Sequence, residues 1–336
     1  MKKLFSILLA VALVFALAAC SSPNAPSDAP PADPVPTENL TPETADAPED
    51  VPEAQDANII FADRQGNPIT LPAQVNKIIA FGAANSEILV GLGAADKIIA
   101  VDTWTYDVDG LPEGLPAFDM GSPDVEAIIA LEPDVMILTG MVQAQGSGDD
   151  MYKPFADAGI CVIYIPSSDS IDGICDDIIF LGAVVNRNVQ AQEIIDDLQA
   201  QVEAVRAIGE TITEKKTVFF DLGELYSFGK DNFLNEMLEI IGATNIFADR
   251  EGWIAANEES ILDANPDVIL TSVNYVADPV VDILNRTGWS AITAVANRDV
   301  YYIDANASNR PSQNIGKALE EMSKYIYPEY YGAFEY

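Results

Sequence analysis

The chain has 336 residues; 53 are Asp or Glu and 17 are Lys or Arg, giving a formal net charge of −36, and there is no histidine. Such an acidic surface repels a phosphate backbone, which argues against nucleic acid as a partner. The lack of imidazole argues against His-dependent triads and metal sites built on His ligands. Three cysteines, at positions 20, 161 and 175, cannot form a disulfide framework for this length, and the 49% hydrophobic fraction is that of a globular protein with a sizeable core.

The first twenty residues read as an address. Met1-Lys2-Lys3 is a short positive region, and residues 4–19 form an apolar run shorter than the roughly 20 residues a membrane-spanning helix needs. The run ends in Leu17-Ala18-Ala19-Cys20, which resembles the bacterial lipobox. Residues 1–20 are therefore expected to be a lipoprotein signal peptide with Cys20 as the lipidated residue; an ordinary signal with an incidental cysteine is the alternative. Residues 21–57 contain nine Pro, nine Asp or Glu, and no Lys or Arg. Such a stretch cannot bury enough apolar surface to offset its ordering entropy, so it is expected to be a disordered acidic tether. Its reach would run from about 35 Å as a coil to about 115 Å as polyproline II, and a spacer of that kind would hold an acidic body away from an anionic membrane.

From residue 58 onward the chain is longer than one core usually holds, so two lobes are expected, at 58–185 and 213–336. Short apolar runs read as strands at 78–81, 98–101, 135–138 and 161–165 in the first lobe, and at 218–222, 268–272 and 300–303 in the second. They alternate with helical segments, which is the signature of α/β lobes with mainly parallel sheets flanked by helices. Between them, residues 186–208 carry apolar side chains at Val189, Ile194, Ile195, Leu198, Val202 and Val205, a stripe for one helix of about 35 Å joining the lobes within an interlobe segment at 186–212. Cys161 begins an apolar strand and Cys175 falls in the following helix, so buried free thiols are favoured over a disulfide.

The two lobes repeat one another. Leu92-Gly93-Ala94 matches Ile241-Gly242-Ala243, each a helix end with Gly at the C′ position. Glu126-Ala127-Ile128-Ile129-Ala130-Leu131-Glu132-Pro133-Asp134-Val135 matches Glu259-Ser260-Ile261-Leu262-Asp263-Ala264-Asn265-Pro266-Asp267-Val268, with the same seven-residue step from Glu to Pro. Both read as helix, proline stop, buried strand.

Several segments in fixed order resemble the substrate-binding lipoproteins of ABC importers that carry ferric siderophores, haem or cobalamin. They are Lys77-Ile78-Ile79-Ala80-Phe81 leading into Asn85-Ser86-Glu87-Ile88-Leu89 and Gly91-Leu92-Gly93; the 123–138 segment; Ser227-Phe228-Gly229 with Phe233-Leu234-Asn235-Glu236-Met237-Leu238; Asn265-Pro266-Asp267-Val268-Ile269-Leu270; and Asn297-Arg298-Asp299-Val300-Tyr301 followed by Arg310-Pro311. The resemblance implies two α/β lobes bridged by one long helix, a ligand held between them, modest closure, no cofactor and no catalysis. The implied partners are a metal chelate (siderophore first, then cobalamin, then haem), a permease dimer, and a membrane reached through lipid on Cys20. It also implies that Glu126 and Glu259 pair with permease arginines, with Asp124 and Glu258 close enough to substitute.

Ligands of parallel α/β sheets bind beyond the carboxyl ends of the strands. That rule nominates Ala83, Ala84 and Asn85 after the first strand, Trp104 and Tyr106 after the second, and Met141 after the third. In the second lobe it nominates Glu224, Tyr226, Asn274, Tyr275, Asn309 and Arg310. Each has a structural alternative: Asn85 and Ser86 as helix caps, Trp104 and Tyr106 as loop packing, Arg310 as partner of an internal carboxylate. The main rival function is a hydrolase using paired carboxylates, but Glu126 and Glu259, the repeated pair, fall in first turns of helices, where they complement the helix dipole. A direct zinc or manganese receptor usually needs the histidines this chain lacks.

Overall fold

The computed structural model describes residues 62–144 and 150–332. The signal peptide, Cys20 and the tether lie outside the described residues.

The first lobe runs β1 (Ile78–Ala80), α1 (Ala83–Gly91), β2 (Ile98–Asp102), β3 (Ala117–Phe118), α2 (Val125–Ala130), β4 (Val135–Thr139), α3 (Met141–Ala144), α4 (Lys153–Asp157), β5 (Cys161–Ile165) and α5 (Ile171–Val184). Helix α6 (Asn188–Gly209) follows. The second lobe runs β6 (Thr217–Asp221), β7 (Tyr226–Phe228), α7 (Phe233–Ile241), β8 (Thr244–Asn245), β9 (Trp253–Ala255), α8 (Glu258–Ala264), β10 (Val268–Thr271), α9 (Pro279–Leu284), α10 (Thr293–Asn297), β11 (Val300–Tyr302), α11 (Ala305–Asn309), α12 (Ile315–Ile326) and α13 (Pro328–Tyr331).

The first sheet has order β3-β2-β1-β4-β5 and the second β11-β10-β6-β8, and every pairing in both is parallel. Read from the other edge, the second sheet reproduces the order β2-β1-β4-β5 of the first, so the repeated motifs occupy equivalent places. The start of the motif strand is tied by an aspartate in each lobe. Asp134 accepts from the backbone N–H of Asn76 and Lys77 at 2.8 and 2.9 Å, and Asp267 accepts from that of Thr217 at 2.8 Å. The helix ends match as well: Ala94 N–H donates to the Leu89 carbonyl, and Ala243 N–H to the Leu238 carbonyl, both at 2.9 Å. Strands β7 and β9 form a separate antiparallel pair; they and the edge strand β3 went unread in the sequence.

Side-chain alternation along the strands sorts the core into layers. Ile78 and Ala80, Val218 and Phe220, and Val268 and Leu270 face a continuous core shared by both lobes and by α6. Ile79 and Phe81 turn to the opposite face of the first sheet, and Phe219 and Ile269 to that of the second. Helix α6 buries Ala191, Ile195, Leu198, Val202 and Val205 in the shared core; Val189, expected in that stripe, is exposed, one turn too early to reach the packed face. At the far side of the lobe junction the Glu236 carboxylate of α7 accepts from the Ile171 N–H at the start of α5 at 2.8 Å. Cys161 and Cys175 are buried free thiols, as expected, and burial pushes each up to about 11.

Candidate functional site

In the first lobe the strand ends are held by Asp102. This fully buried carboxylate closes β2 and accepts from Gly82 N–H (2.6 Å), Trp104 N–H (2.7 Å) and the Thr105 hydroxyl (2.6 Å). Gly82 makes the turn from β1 into α1 at φ 94°, and a Cβ there would lie 2.9 Å from the Thr139 Cβ of the neighbouring strand, so the close approach of the two strand ends requires glycine. The loop so fixed presents Trp104 and Tyr106 at 69% and 83% exposure, and Met141 at the head of α3 is also exposed. Ala83 and Ala84 lie half-buried on the first turn of α1. Asn85 does not face the cleft: it is buried, and its amide donates back to the Phe81 carbonyl at 2.8 Å. Neither Asn85 nor Ser86 caps α1, because Gly82 occupies the N-cap position.

In the second lobe β6 ends in Asp221, and the chain turns through Gly223, Glu224 and Leu225 at φ 118°, 51° and 63°. A branched residue at positive φ is strained, and such strain collects at functional sites. Tyr226 leaves this turn half-exposed and stacks on Trp253 of β9, with centroids 6.1 Å apart and planes 11° apart. Asn274 and Tyr275 are exposed beyond β10. The exposed Asn309 accepts from the Ser272 hydroxyl at 3.0 Å.

Arg310 realises its structural alternative. Its guanidinium donates to Glu87 of α1 at 2.8 Å and to Asp107, one residue past Tyr106, at 2.5 Å, so it ties the second lobe to two elements of the first. Glu87 is 6% exposed and also accepts from the Ser312 hydroxyl and the Asn314 amide. Burial alone would lower the Arg310 pKa; the hydrogen bonds and charges of Glu87 and Asp107 overcome that and raise it. A cavity of about 250 Å³ lies beside this cluster, bordered by both lobes. A second, of about 210 Å³, opens between the ends of β6 and β10.

The sequence reading missed Asp102, Glu87 and Trp253. Trp253 carried a signal, an aromatic next to a glycine after the repeated helix end, but without its pairing with β7 nothing placed it beside Tyr226. Glu87 lies on an apolar helix face, and only its partners from the other lobe explain it.

Glu126 and Glu259 are both exposed, each two residues after a helix N-cap. Asp124 caps α2 by accepting from Ala127 N–H (3.0 Å), and Asn257 caps α8 by accepting from Ser260 N–H (2.8 Å). The two glutamates thus occupy one position of the repeat.

Residues 78–307 match the family model described as periplasmic binding protein. The chain belongs to the periplasmic binding protein family. Within it, an uncharacterized ABC transporter substrate-binding lipoprotein of Bacillus subtilis, YvrC, is 29% identical over 279 residues, covering 81% of this chain and 86% of the relative. A protein of Halobacterium salinarum named cobalamin-binding is 24% identical over 280 residues, covering 78% and 72%. Among solved structures, a possible iron-binding (periplasmic solute-binding) protein from Staphylococcus epidermidis superposes with a TM-score of 0.66 at 28% identity, covering 76% of this chain and 99% of that one. As a family member the chain is a solute receptor of the ABC-importer class with two α/β lobes. No helix among the described residues is long and apolar enough to cross a membrane.

Proposed function

We propose that the protein captures a bulky, uncharged metal chelate between the strand ends of its two lobes and hands it, unaltered, to an ABC importer permease. One observation carries this reading. Trp104, Tyr106, Met141, Tyr226, Trp253 and Tyr275 all stand exposed on loops, short strands or, for Met141, a helix start beyond the sheets, an apolar, aromatic lining suited to a large ring or ligand shell. The cation nominated for the ligand, Arg310, is meanwhile committed to two carboxylates. A tricatecholate siderophore or the propionates of haem would meet Glu224 and Asp107, where the nearby cations Arg286 and Lys317 are outnumbered by carboxylates. A neutral ferric trihydroxamate siderophore or a corrinoid would not be repelled there. The names of the Halobacterium and Staphylococcus relatives, cobalamin-binding and possible iron-binding, support the same two chelate classes.

The rest of the reading follows from the chain's layout. Glu126 and Glu259, equivalent on the two lobes, suit docking on a two-fold permease with one contact per half. Lipid on Cys20 and the acidic tether at 21–57 would hold the receptor at the outer face of the membrane; the lipoprotein name of the Bacillus relative supports the anchor.

The test is a thermal-shift panel of ferric trihydroxamate, cyanocobalamin, ferric tricatecholate, haem and molybdate. A ligand at 100 times its dissociation constant adds about 2.7 kcal/mol of apparent stability. A neutral chelate should produce that shift and be recovered chemically unchanged. Tight binding of the tricatecholate or molybdate with no response to either neutral chelate would overturn the reading, and conversion of the chelate would favour an enzyme.

A further inference from the structure

The second sheet changes its winding direction between β6 and β10: from β6 the chain moves to β8 on one side, and β10 then pairs on the other. Such a switch point leaves a crevice at the strand ends, and the cavity of about 210 Å³ lies there. Its wall contains Arg286, just past α9. The guanidinium lies over the ring of the fully buried Trp289, 4.4 Å from its centroid, and stacking holds it in place. The nearest carboxylate oxygens are Asp282 Oδ2 at 3.7 Å and Asp221 Oδ2 at 3.8 Å, too far for hydrogen bonds. The Arg286 side chain makes no hydrogen bond to any described residue, so its planar fork of donors is positioned but unsatisfied.

Asp221 supplies the complementary group. It is buried; one oxygen accepts from Gly223 N–H at 3.0 Å and the other faces Arg286. Tyr275 closes the crevice, its hydroxyl packed against Gly223, where any Cβ would overlap it. The charges then decide what fits. Arg286 is outnumbered by Asp221, Asp282 and Glu224, which disfavours a carboxylate or phosphate, and a cation would confront the guanidinium. A flat neutral group with a carbonyl oxygen beside an N–H satisfies both sides.

We propose that this crevice is a carboxamide subsite, with Arg286 donating to the carbonyl oxygen and Asp221 accepting from the amide N–H. The inference rests on reading the strand ends as the ligand cleft and adds the functional group by which the ligand is held on the second lobe.

The experiment titrates ¹⁵N-labelled protein with propionamide, propionate and ethylammonium, following the Arg286 Nε–H and Gly223 N–H resonances. Propionamide alone should shift both saturably, with a dissociation constant in the millimolar range expected of so few atoms. Arg286→Gln should weaken it at least tenfold. Asp221→Asn, which removes the repelling charge, should weaken it at least fivefold and admit propionate; this second variant serves if the first does not fold. Preference for propionate or ethylammonium in the unaltered protein, or no saturable shift with any probe, overturns the subsite. Chelate binding without a propionamide response removes the subsite and leaves the receptor reading standing. A propionamide response with no chelate bound does the reverse.

Discussion

Replacing Arg310 by Ala removes the charge that joins the lobes, and its cost can be worked from the contacts it leaves. Truncating one partner of a buried ion pair typically costs about 3–5 kcal/mol, because the other charge stays buried and unpaired. Two features reduce that here. Ser312 and Asn314 keep donating to Glu87, and Asp107, at 29% side-chain exposure, can recover water. The expected loss is therefore about 2–3 kcal/mol, which for a body of this size lowers Tm by about 5 °C. Glu87→Gln keeps shape and one acceptor but sets an amide donor against its former donors, for about 1–2 kcal/mol. Asp107→Asn, at the exposed end, should cost about 0.5 kcal/mol. Denaturant unfolding of the three variants gives the ranking directly. If Arg310→Ala is neutral, or Asp107→Asn is as damaging as Arg310→Ala, the cluster does not hold the lobes as argued.

Quenching by a bound coloured chelate should be shared between Trp104 and Trp253, while Trp289 is fully buried; Trp104→Phe should remove part of the quench and Trp104→Phe with Trp253→Phe nearly all, and an unchanged fractional quench in the double variant would place both away from the ligand. Glu126→Ala with Glu259→Ala should leave chelate affinity within about twofold, roughly 0.4 kcal/mol, while uptake into cells collapses; normal uptake would remove them as docking residues. Burial is the largest influence on Asp177, Asp221 and Glu321 and raises all three. The folded state therefore binds protons before the unfolded one does, so stability should rise as pH falls from 7 through these raised values and stop rising near the unfolded carboxylate range of about 4; a Tm lower at pH 5.5 than at pH 7.5 would contradict this. Cys20→Ala should release the protein from the membrane fraction, and unchanged retention would rule out the anchor.

The strands that the sequence disclosed include all the central ones, with the edge strands β5 and β11 besides. Residues 78–81, 135–138, 218–220 and 268–270 are continuous apolar runs because both faces of a parallel sheet are covered, and that leaves a legible pattern; the edge strand β3 and the short β7–β9 pair leave none. The internal repeat was equally legible, because a Gly at a helix end and a Pro before a strand answer to local backbone geometry. It places Glu126 and Glu259 at equivalent positions of the two lobes.

Pairing across the fold was settled by the tertiary structure alone. Arg310 reads in sequence as either a ligand fork or an internal partner, and the choice depends on Glu87 and Asp107, more than two hundred residues away. Asn85, nominated from its place after a strand, turned inward because the Phe81 carbonyl lay within reach of its amide. Trp253 gained a role only when β9 set it against Tyr226, and Arg286 only when Trp289 fixed its plane beside Asp221. Local patterns specify which residues form strands and helices because backbone and solvent act on each segment separately. Which charges find partners, and which remain open toward a ligand, depends on distances between segments that no local pattern encodes.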